Sequence, residues 1–148
     1  MFTRIMVPLD GSALAEQALP VAGHLAEVEG ATLHLVRVVE PPAAVTIQRL
    51  GAPVNVYEEV IAAAWQEATA YLEEMRARLE RQGYPVQIQR LDGYAAATLL
   101  DYAREAGIDL LVMTTHGRTG LTRWALGSVV DRVVQGNVAT VLLVPAGG

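Results

Sequence analysis

The segment Arg4-Ile5-Met6-Val7-Pro8-Leu9, followed by Asp10-Gly11-Ser12, decides the fold class of this chain. A continuous apolar run is typical of a strand buried on both faces, and Asp-Gly-Ser directly after it predicts a turn. Ser12 is a suitable N-cap, because apolar residues recur at helical spacing from Ala15 to Ala26. The segment therefore predicts a strand, a turn and a helix, which together begin an α/β fold.

The alternation of strands and helices continues to the end of the chain. In the first helix Pro20 removes a backbone donor, so we expect a bend there, and Gly30 ends the helix. Further strands are predicted at residues 32–39, 86–91, 108–114 and 140–144, and further helices at residues 57–81, 94–105 and 128–135. Residues 86–91 alternate apolar and polar, which predicts a strand that lies at a sheet edge or faces water on one side. The pattern predicts a five-stranded parallel sheet with helices on both faces and right-handed crossovers.

Residues 41–56 are the one long stretch that fits neither a helix nor a strand. They contain Pro41, Pro42, Gly51 and Pro53 and have little periodicity. We therefore expect a long irregular connection, of the kind that often covers a binding site.

The length and composition limit the classes of protein to consider. The 148 residues, with a mass of 15.9 kDa, fit a single domain over residues 1–148. There is no Cys, and all eleven basic residues are Arg, so disulfides, thiol nucleophiles, lysine Schiff bases and lysine-bearing phosphate loops are excluded. The net charge of −5 argues against nucleic-acid binding. No apolar window is long enough to span a membrane and no signal peptide is visible, so we expect a cytoplasmic protein.

Two loops at the carboxyl ends of strands are candidates for a ligand site, since ligands of open parallel sheets bind at this edge. The first is Pro8 to Ser12, which offers a carboxylate and a hydroxyl; its alternative interpretation is an ordinary strand-to-helix turn. The second is Thr114 to Gly120, with Gly127-Ser128-Val129 opening the next helix. A helix N-terminus with a glycine at its entry suits phosphate, although a turn with an N-cap would give the same pattern.

The charges near the second loop favour an anionic ligand. From residue 114 to the end there are three Arg and one Asp, in a chain that is acidic as a whole. Arg118 and Arg123 either lie over phosphate or are solvated loop charges. His116 either contacts phosphate or is a solvent-facing or packing residue, while Trp124 is interpreted as a packing or interface residue.

These motifs carry a resemblance to a known family. The pattern Thr-x2-Gly-x9-Gly-Ser from Thr114 to Ser128, the Pro-Leu-Asp-Gly-Ser segment after the first strand and the terminal Val-Leu-Leu-Val-Pro resemble the universal stress protein family. The resemblance covers essentially the whole chain. It implies a Rossmann-like, adenine nucleotide alpha hydrolase-like fold with strand order 3-2-1-4-5.

The resemblance also implies roles for individual residues. Pro8, Leu9 and Asp10 would line an adenosine pocket, with Asp10 towards the ribose, and the backbone of Val38 would meet the adenine. Gly117 would border the phosphates, which the start of the helix would cradle. The full set of predicted nucleotide-binding residues is Pro8, Leu9, Asp10, Ser12, Val38, Thr114, His116, Gly117, Arg118, Gly127, Ser128 and Val129.

Thr114 departs from the family pattern, which has glycine at this position in ATP-binding members. The threonine side chain either crowds the ribose and phosphate region or supplies a hydroxyl in place of a backbone contact. The sequence leaves both alternatives open.

The favoured function is a regulatory protein of the stress response that binds ATP or another adenine nucleotide, with or without Mg²⁺ or Mn²⁺, and changes its partner interactions accordingly. No catalytic set is recognisable, so hydrolysis would be slow and incidental. The alternative is a nucleotide-free dimeric scaffold whose pocket Thr114 has altered. The apolar strand from Thr140 to Val144 predicts a homodimer through antiparallel edge pairing, which the resemblance also implies. A regulatory protein partner is expected, but neither nucleic acid nor a membrane.

Overall fold

The computed structural model describes residues 1–42, 51, 54–116 and 126–147, and the structural statements below concern these residues. The strands are β1 (Arg4–Pro8), β2 (Thr32–Val39), β3 (Val86–Asp92), β4 (Leu110–Thr114) and β5 (Thr140–Val144). The helices are α1 (Ala13–Glu16), α2 (Leu19–Glu29), α3 (Val54–Arg81), α4 (Ala95–Glu105) and α5 (Ser128–Gln135).

The five strands form one parallel sheet in the order β3-β2-β1-β4-β5. The prediction of a parallel α/β sheet with strand order 3-2-1-4-5 is therefore confirmed. The prediction that the third strand lies at an edge is also confirmed. Because the order reverses between β1 and β4, the loops after these two central strands flank the position where ligands of such sheets bind.

Alternate residues of the central strands supply two apolar layers, one on each face of the sheet. On β1, Ile5 and Val7 pack with α2 and α3, whereas Met6 packs with α4 and α5. All three side chains are fully buried. Burial on both faces explains why β1 is a continuous apolar run, and it holds the carboxyl end of the sheet rigid beneath the loops.

The first helical segment differs from its prediction, because it is broken rather than bent. Helix α1 ends at Glu16 and α2 begins at Leu19, with Pro20 in the first turn of α2. Proline lacks a backbone N–H and its ring clashes inside a helix, but both properties are tolerated in a first turn. Ser12 caps α1 as predicted, and Gly30 ends α2 with a φ of 69°.

The prediction of an irregular connection up to residue 56 was wrong at its end, since α3 begins at Val54. Residues 43–50 and 52–53 lie outside the described part of the chain. The prediction that this connection covers a site therefore stays a prediction.

A polar pair lies within the apolar layer between β2 and α4. The Nδ1 atom of His34 is 3.2 Å from the hydroxyl of Tyr102, and His34 is only 5% exposed. Burial, with a smaller contribution from the cation of Arg4, lowers the pKa of His34. His34 is therefore neutral in the folded protein at neutral pH.

Candidate functional site

The loop after β1 is held by hydrogen bonds around Asp10. Its Oδ1 atom accepts from the backbone N–H of Ser12 at 2.9 Å and from the Ser12 hydroxyl. The same Ser12 oxygen accepts from the N–H of Ala15 at 3.2 Å and so caps α1. Gly11, between the two, has a φ of +86°, a conformation that favours glycine. The carboxylate of Asp10 is thus oriented by the turn itself.

Two threonines at the start of the loop after β4 make polar contacts within this loop. The hydroxyl of Thr114 donates to the carbonyl oxygen of His116 at 2.7 Å, and Thr114 is 5% exposed. The Oγ1 atom of Thr115 lies 3.0 Å from Nδ1 of His116. The N–H of Gly127 donates to the carbonyl of Thr115 at 3.0 Å, which connects this loop to the start of α5. The proton of the Thr114 hydroxyl is therefore used within the loop.

Helix α5 begins beside this loop without a side-chain cap. Gly127 is the N-cap and makes no side-chain hydrogen bond, as expected of a residue without a side chain. The first N–H groups of any helix lack acceptors within the helix, and those of residues 128–130 belong to this group. The start of α5 therefore presents backbone donors and the positive end of the helix dipole.

These loops enclose a cavity of about 410 Å³ at the carboxyl ends of β1 and β4. This volume lies in the range of roughly 300–1,000 Å³ that is typical of small-molecule sites. Nine residues of the predicted set line the cavity: Pro8, Leu9, Asp10, Val38, Thr114, His116, Gly127, Ser128 and Val129. Ser12 does not line it, because its side chain is used by Asp10 and by the cap of α1. The predicted Gly117 and Arg118, together with Arg123 and Trp124, lie outside the described residues.

The cavity also has lining residues that were not predicted from the sequence. They are Ala15, Val36, Arg37, Glu40, Ala95, Leu99, Met113 and Val130. Most are apolar residues of the core layers and carry no signal that distinguishes them from other packing residues. Arg37 is different, because a charged residue within the apolar strand β2 was a visible signal.

The lining residues give the cavity an apolar wall and a polar end. Val36, Val38, Leu99 and Met113 offer side chains against which a flat ring can pack. The start of α5 offers backbone donors suited to an anion. Among the described residues there is no group of three His, Asp or Glu side chains that could hold a metal ion. The arrangement fits a ligand with a planar apolar part and a negatively charged part.

A parallel α/β sheet with a cavity beyond the carboxyl ends of β1 and β4, beside the start of a helix, is the arrangement of the open, doubly wound α/β folds. The sequence profile of the Universal stress protein family matches residues 1–145. The chain therefore belongs to the universal stress protein family, and the resemblance seen in its motifs is confirmed.

Two known relatives illustrate the similarity along the whole chain. Universal stress protein YxiE of Bacillus subtilis is 29% identical over 147 residues, which cover 97% of this chain and 99% of that protein. The solved structure of MJ0577 from Methanocaldococcus jannaschii is 25% identical, has a TM-score of 0.84 and matches 100% of this chain and 99% of that one.

A third solved structure is a universal stress protein in complex with cAMP. It is 23% identical, with a TM-score of 0.71, and the match covers 99% of this chain and 98% of the other. At this identity the likeness shows the fold alone. Within the described part of this chain, no helix is both long and apolar enough to cross a membrane.

Proposed function

We propose that this protein binds ATP or a related adenine nucleotide in the cavity between the loops after β1 and β4, and that it acts as a regulatory protein of the stress response. The observation that supports the proposal is the convergence of nine predicted residues, from three separate stretches of sequence, on one cavity of about 410 Å³. The stretches are residues 8–10, residue 38, and the loop after β4 together with the start of α5, which contributes residues 114, 116 and 127–129.

Each part of an adenine nucleotide has a chemically suitable counterpart in the cavity. The adenine would pack on the apolar wall, with its edge at the backbone of Val38. The ribose hydroxyls would donate to the carboxylate of Asp10, and the phosphates would accept from the N–H groups at Ser128 and Val129. Backbone donors at a helix start stabilise negative charge without a lysine, which this chain lacks.

The cAMP complex of a protein with the same fold is consistent with this proposal, since that protein holds an adenine nucleotide. The likeness is one of fold, so the assignment to this chain rests on the cavity residues. Whether Mg²⁺ or Mn²⁺ accompanies the nucleotide is part of the test.

We further propose that the nucleotide is bound without efficient turnover. Backbone N–H groups hold phosphate but transfer no proton, and the carboxylate of Asp10 accepts two hydrogen bonds from Ser12. Hydrolysis would then be slow and incidental, and the nucleotide would act by changing how the protein binds its partners.

The first of these partners would be a second copy of this chain. Strand β5 pairs with β4 and, among the described residues, has no strand on its other edge; Leu142 is 36% exposed. An apolar edge of this kind favours antiparallel pairing with the same strand of a second copy. A regulatory protein would be a further partner.

Calorimetric titration with ATP, in the absence and presence of Mg²⁺ or Mn²⁺, tests the proposal. We expect saturable heat and a thermal shift, because a ligand at 100 times its Kd adds about 2.7 kcal/mol to the free energy of unfolding. Neither heat nor a shift under any of these conditions would contradict nucleotide binding.

The start of α5 allows a sharper test with a matched pair of variants. Val129→Pro removes one backbone N–H at a position where proline is compatible with the helix, whereas Val129→Ala shortens the side chain and keeps the N–H. A hydrogen bond to a charged group contributes about 1.5–3 kcal/mol, so Val129→Pro should weaken ATP binding by about tenfold or more. Equal ATP affinities of the two variants would refute a phosphate site at this helix.

A further inference from the structure

Arg37 lies where a charged side chain has an energetic cost. It is on the same face of β2 as Leu33 and Leu35, which are fully buried, and only 10% of its own side chain is exposed. A buried charge is costly unless it is paired and hydrogen-bonded. The contacts of the guanidinium therefore indicate the role of Arg37.

Two residues of α3 hold the guanidinium. Its Nη1 atom donates to Oε1 of Glu67 at 2.9 Å, and its Nη2 atom donates to Oε2 of the same carboxylate. Its central carbon is 5.0 Å from the ring centroid of Tyr71. Glu67 and Tyr71 are one helical turn apart, so both reach Arg37 from one face of α3. This bidentate pair fixes the plane of the guanidinium.

The guanidinium packs directly against the turn that carries Asp10. A Cβ atom at Gly11 would lie 3.2 Å from Nη1 of Arg37 and 3.3 Å from its Cζ and Nη2 atoms. These distances are shorter than ordinary van der Waals contacts, so the fit depends on the bare backbone of Gly11. Since Gly11 lies between Asp10 and Ser12, Arg37 supports the middle of the turn that orients the Asp10 carboxylate.

Helix α3 also holds the far end of this segment. The hydroxyl of Tyr71 donates to Oε2 of Glu16, the last residue of α1, at 2.8 Å. Arg78, two turns further along α3, is 3.6 Å from the other oxygen of Glu16. The turn after β1 and the short helix that follows it are therefore connected to α3 at both ends.

Stability alone does not account for this arrangement. An apolar residue at position 37 would fill this part of the core without the cost of a buried cation, whose partner Glu67 has a side chain that is 59% exposed. Arg37 also lines the cavity, as Asp10 does.

We propose that Arg37 is a positioning residue for ribose recognition: through Gly11 it keeps the Asp10 carboxylate in place, while Glu67 and Tyr71 hold the guanidinium against the turn. The inference rests on the proposed nucleotide function and names a residue on which its sugar specificity depends. Arg37 acts through the turn and need not touch the ligand.

Titration calorimetry of the full chain with ATP and with 2′,3′-dideoxy-ATP tests this role, because the second nucleotide lacks the ribose hydroxyls. We expect the wild type to prefer ATP by about tenfold or more, as two hydrogen bonds to a carboxylate imply. In Arg37→Gln, ATP should bind about tenfold more weakly, whereas dideoxy-ATP should change by less than about twofold. Asp10→Asn should lose the preference for ATP over dideoxy-ATP. The double variant Asp10→Asn with Arg37→Gln should bind ATP no more weakly than Asp10→Asn alone.

A second variant separates positioning from folding. The double variant Arg37→Met with Glu67→Gln removes both charges of the pair and places an apolar side chain in the apolar layer, so it should fold and still lack the ribose preference. If this variant keeps the preference, or if Arg37→Gln weakens both nucleotides equally, the positioning role is overturned. A wild type that binds both nucleotides equally also overturns it but leaves nucleotide binding intact. A wild type that binds neither overturns the proposed function as well.

Discussion

Thr114→Gly is the substitution that distinguishes a nucleotide-binding protein from a nucleotide-free scaffold. It places the glycine of the family motif at position 114. The substitution also removes the hydrogen bond of 2.7 Å from the Thr114 hydroxyl to the His116 carbonyl. Loss of such a bond lowers the free energy of unfolding by about 1 kcal/mol. A glycine within a strand lowers it by about 0.5–1 kcal/mol more. The expected loss of stability is therefore about 1.5–2 kcal/mol.

The effect on ATP affinity should be small. Because the Thr114 hydroxyl donates to its own loop, we expect the wild-type cavity to accept the nucleotide already. Thr114→Gly should then change ATP affinity by less than about fivefold, or ~1 kcal/mol. Thr114→Ser keeps the hydroxyl, and Thr114→Val keeps the side-chain volume. The two variants therefore separate the effect of the hydroxyl from the effect of the volume.

Urea unfolding and ATP calorimetry on the four proteins give both quantities. We expect Thr114→Ser to retain more stability than Thr114→Val, and all four proteins to bind ATP. A wild type without measurable ATP binding, together with a Thr114→Gly variant that binds ATP well, would refute this reasoning. The threonine would then be closing the pocket, and the scaffold function would be favoured.

Three further predictions concern the turn after β1, a buried histidine and the sheet edge. Gly11→Ala and Gly30→Ala both place a Cβ atom at positive φ, +86° and +69°, and each should lower the free energy of unfolding by about 1–2 kcal/mol. Only Gly11→Ala, which presses on Arg37, should also weaken ATP binding in calorimetry; equal ATP affinities would count against a role for this turn. Burial lowers the pKa of His34, so the unfolded state takes up the proton first and stability should fall as pH drops below about 6.5. Urea melts across this range should show a slope, at most about 1.4 kcal/mol per pH unit, that His34→Gln removes. Leu142→Lys places a charge on the open edge of β5 and should convert a dimer into a monomer in light scattering, and an unchanged mass would exclude this edge as the interface.

The fold was predictable because its signals are local. The apolar run of β1, the N-cap at Ser12 and the glycine that ends α2 each follow from neighbouring residues. The prediction failed where one residue is compatible with two local structures. Pro20 is consistent with a bend inside a helix or with the start of a new one, and packing of α2 against the sheet decided for the second.

The site was predictable only in part, for a related reason. A loop with glycine, aspartate or a helix start signals a ligand from its own composition, so both loops were found. Arg37 and Glu40 reach the cavity because β2 pairs with β1 in a register that places Pro8 opposite Val36. No local sequence pattern indicates the register of β2 against β1, so Arg37 and Glu40 were not predicted as lining residues.

The sequence by itself determined the order of strands and helices, the parallel sheet, the family and the two loops at its carboxyl edge, since hydrophobic periodicity and turn residues act over a few neighbours. Only the tertiary structure decided that Arg37 joins the turn after β1 to α3. Contacts between residues distant in sequence depend on strand register and helix packing. The support of the Asp10 carboxylate is therefore a property of the assembled fold and not of its motif.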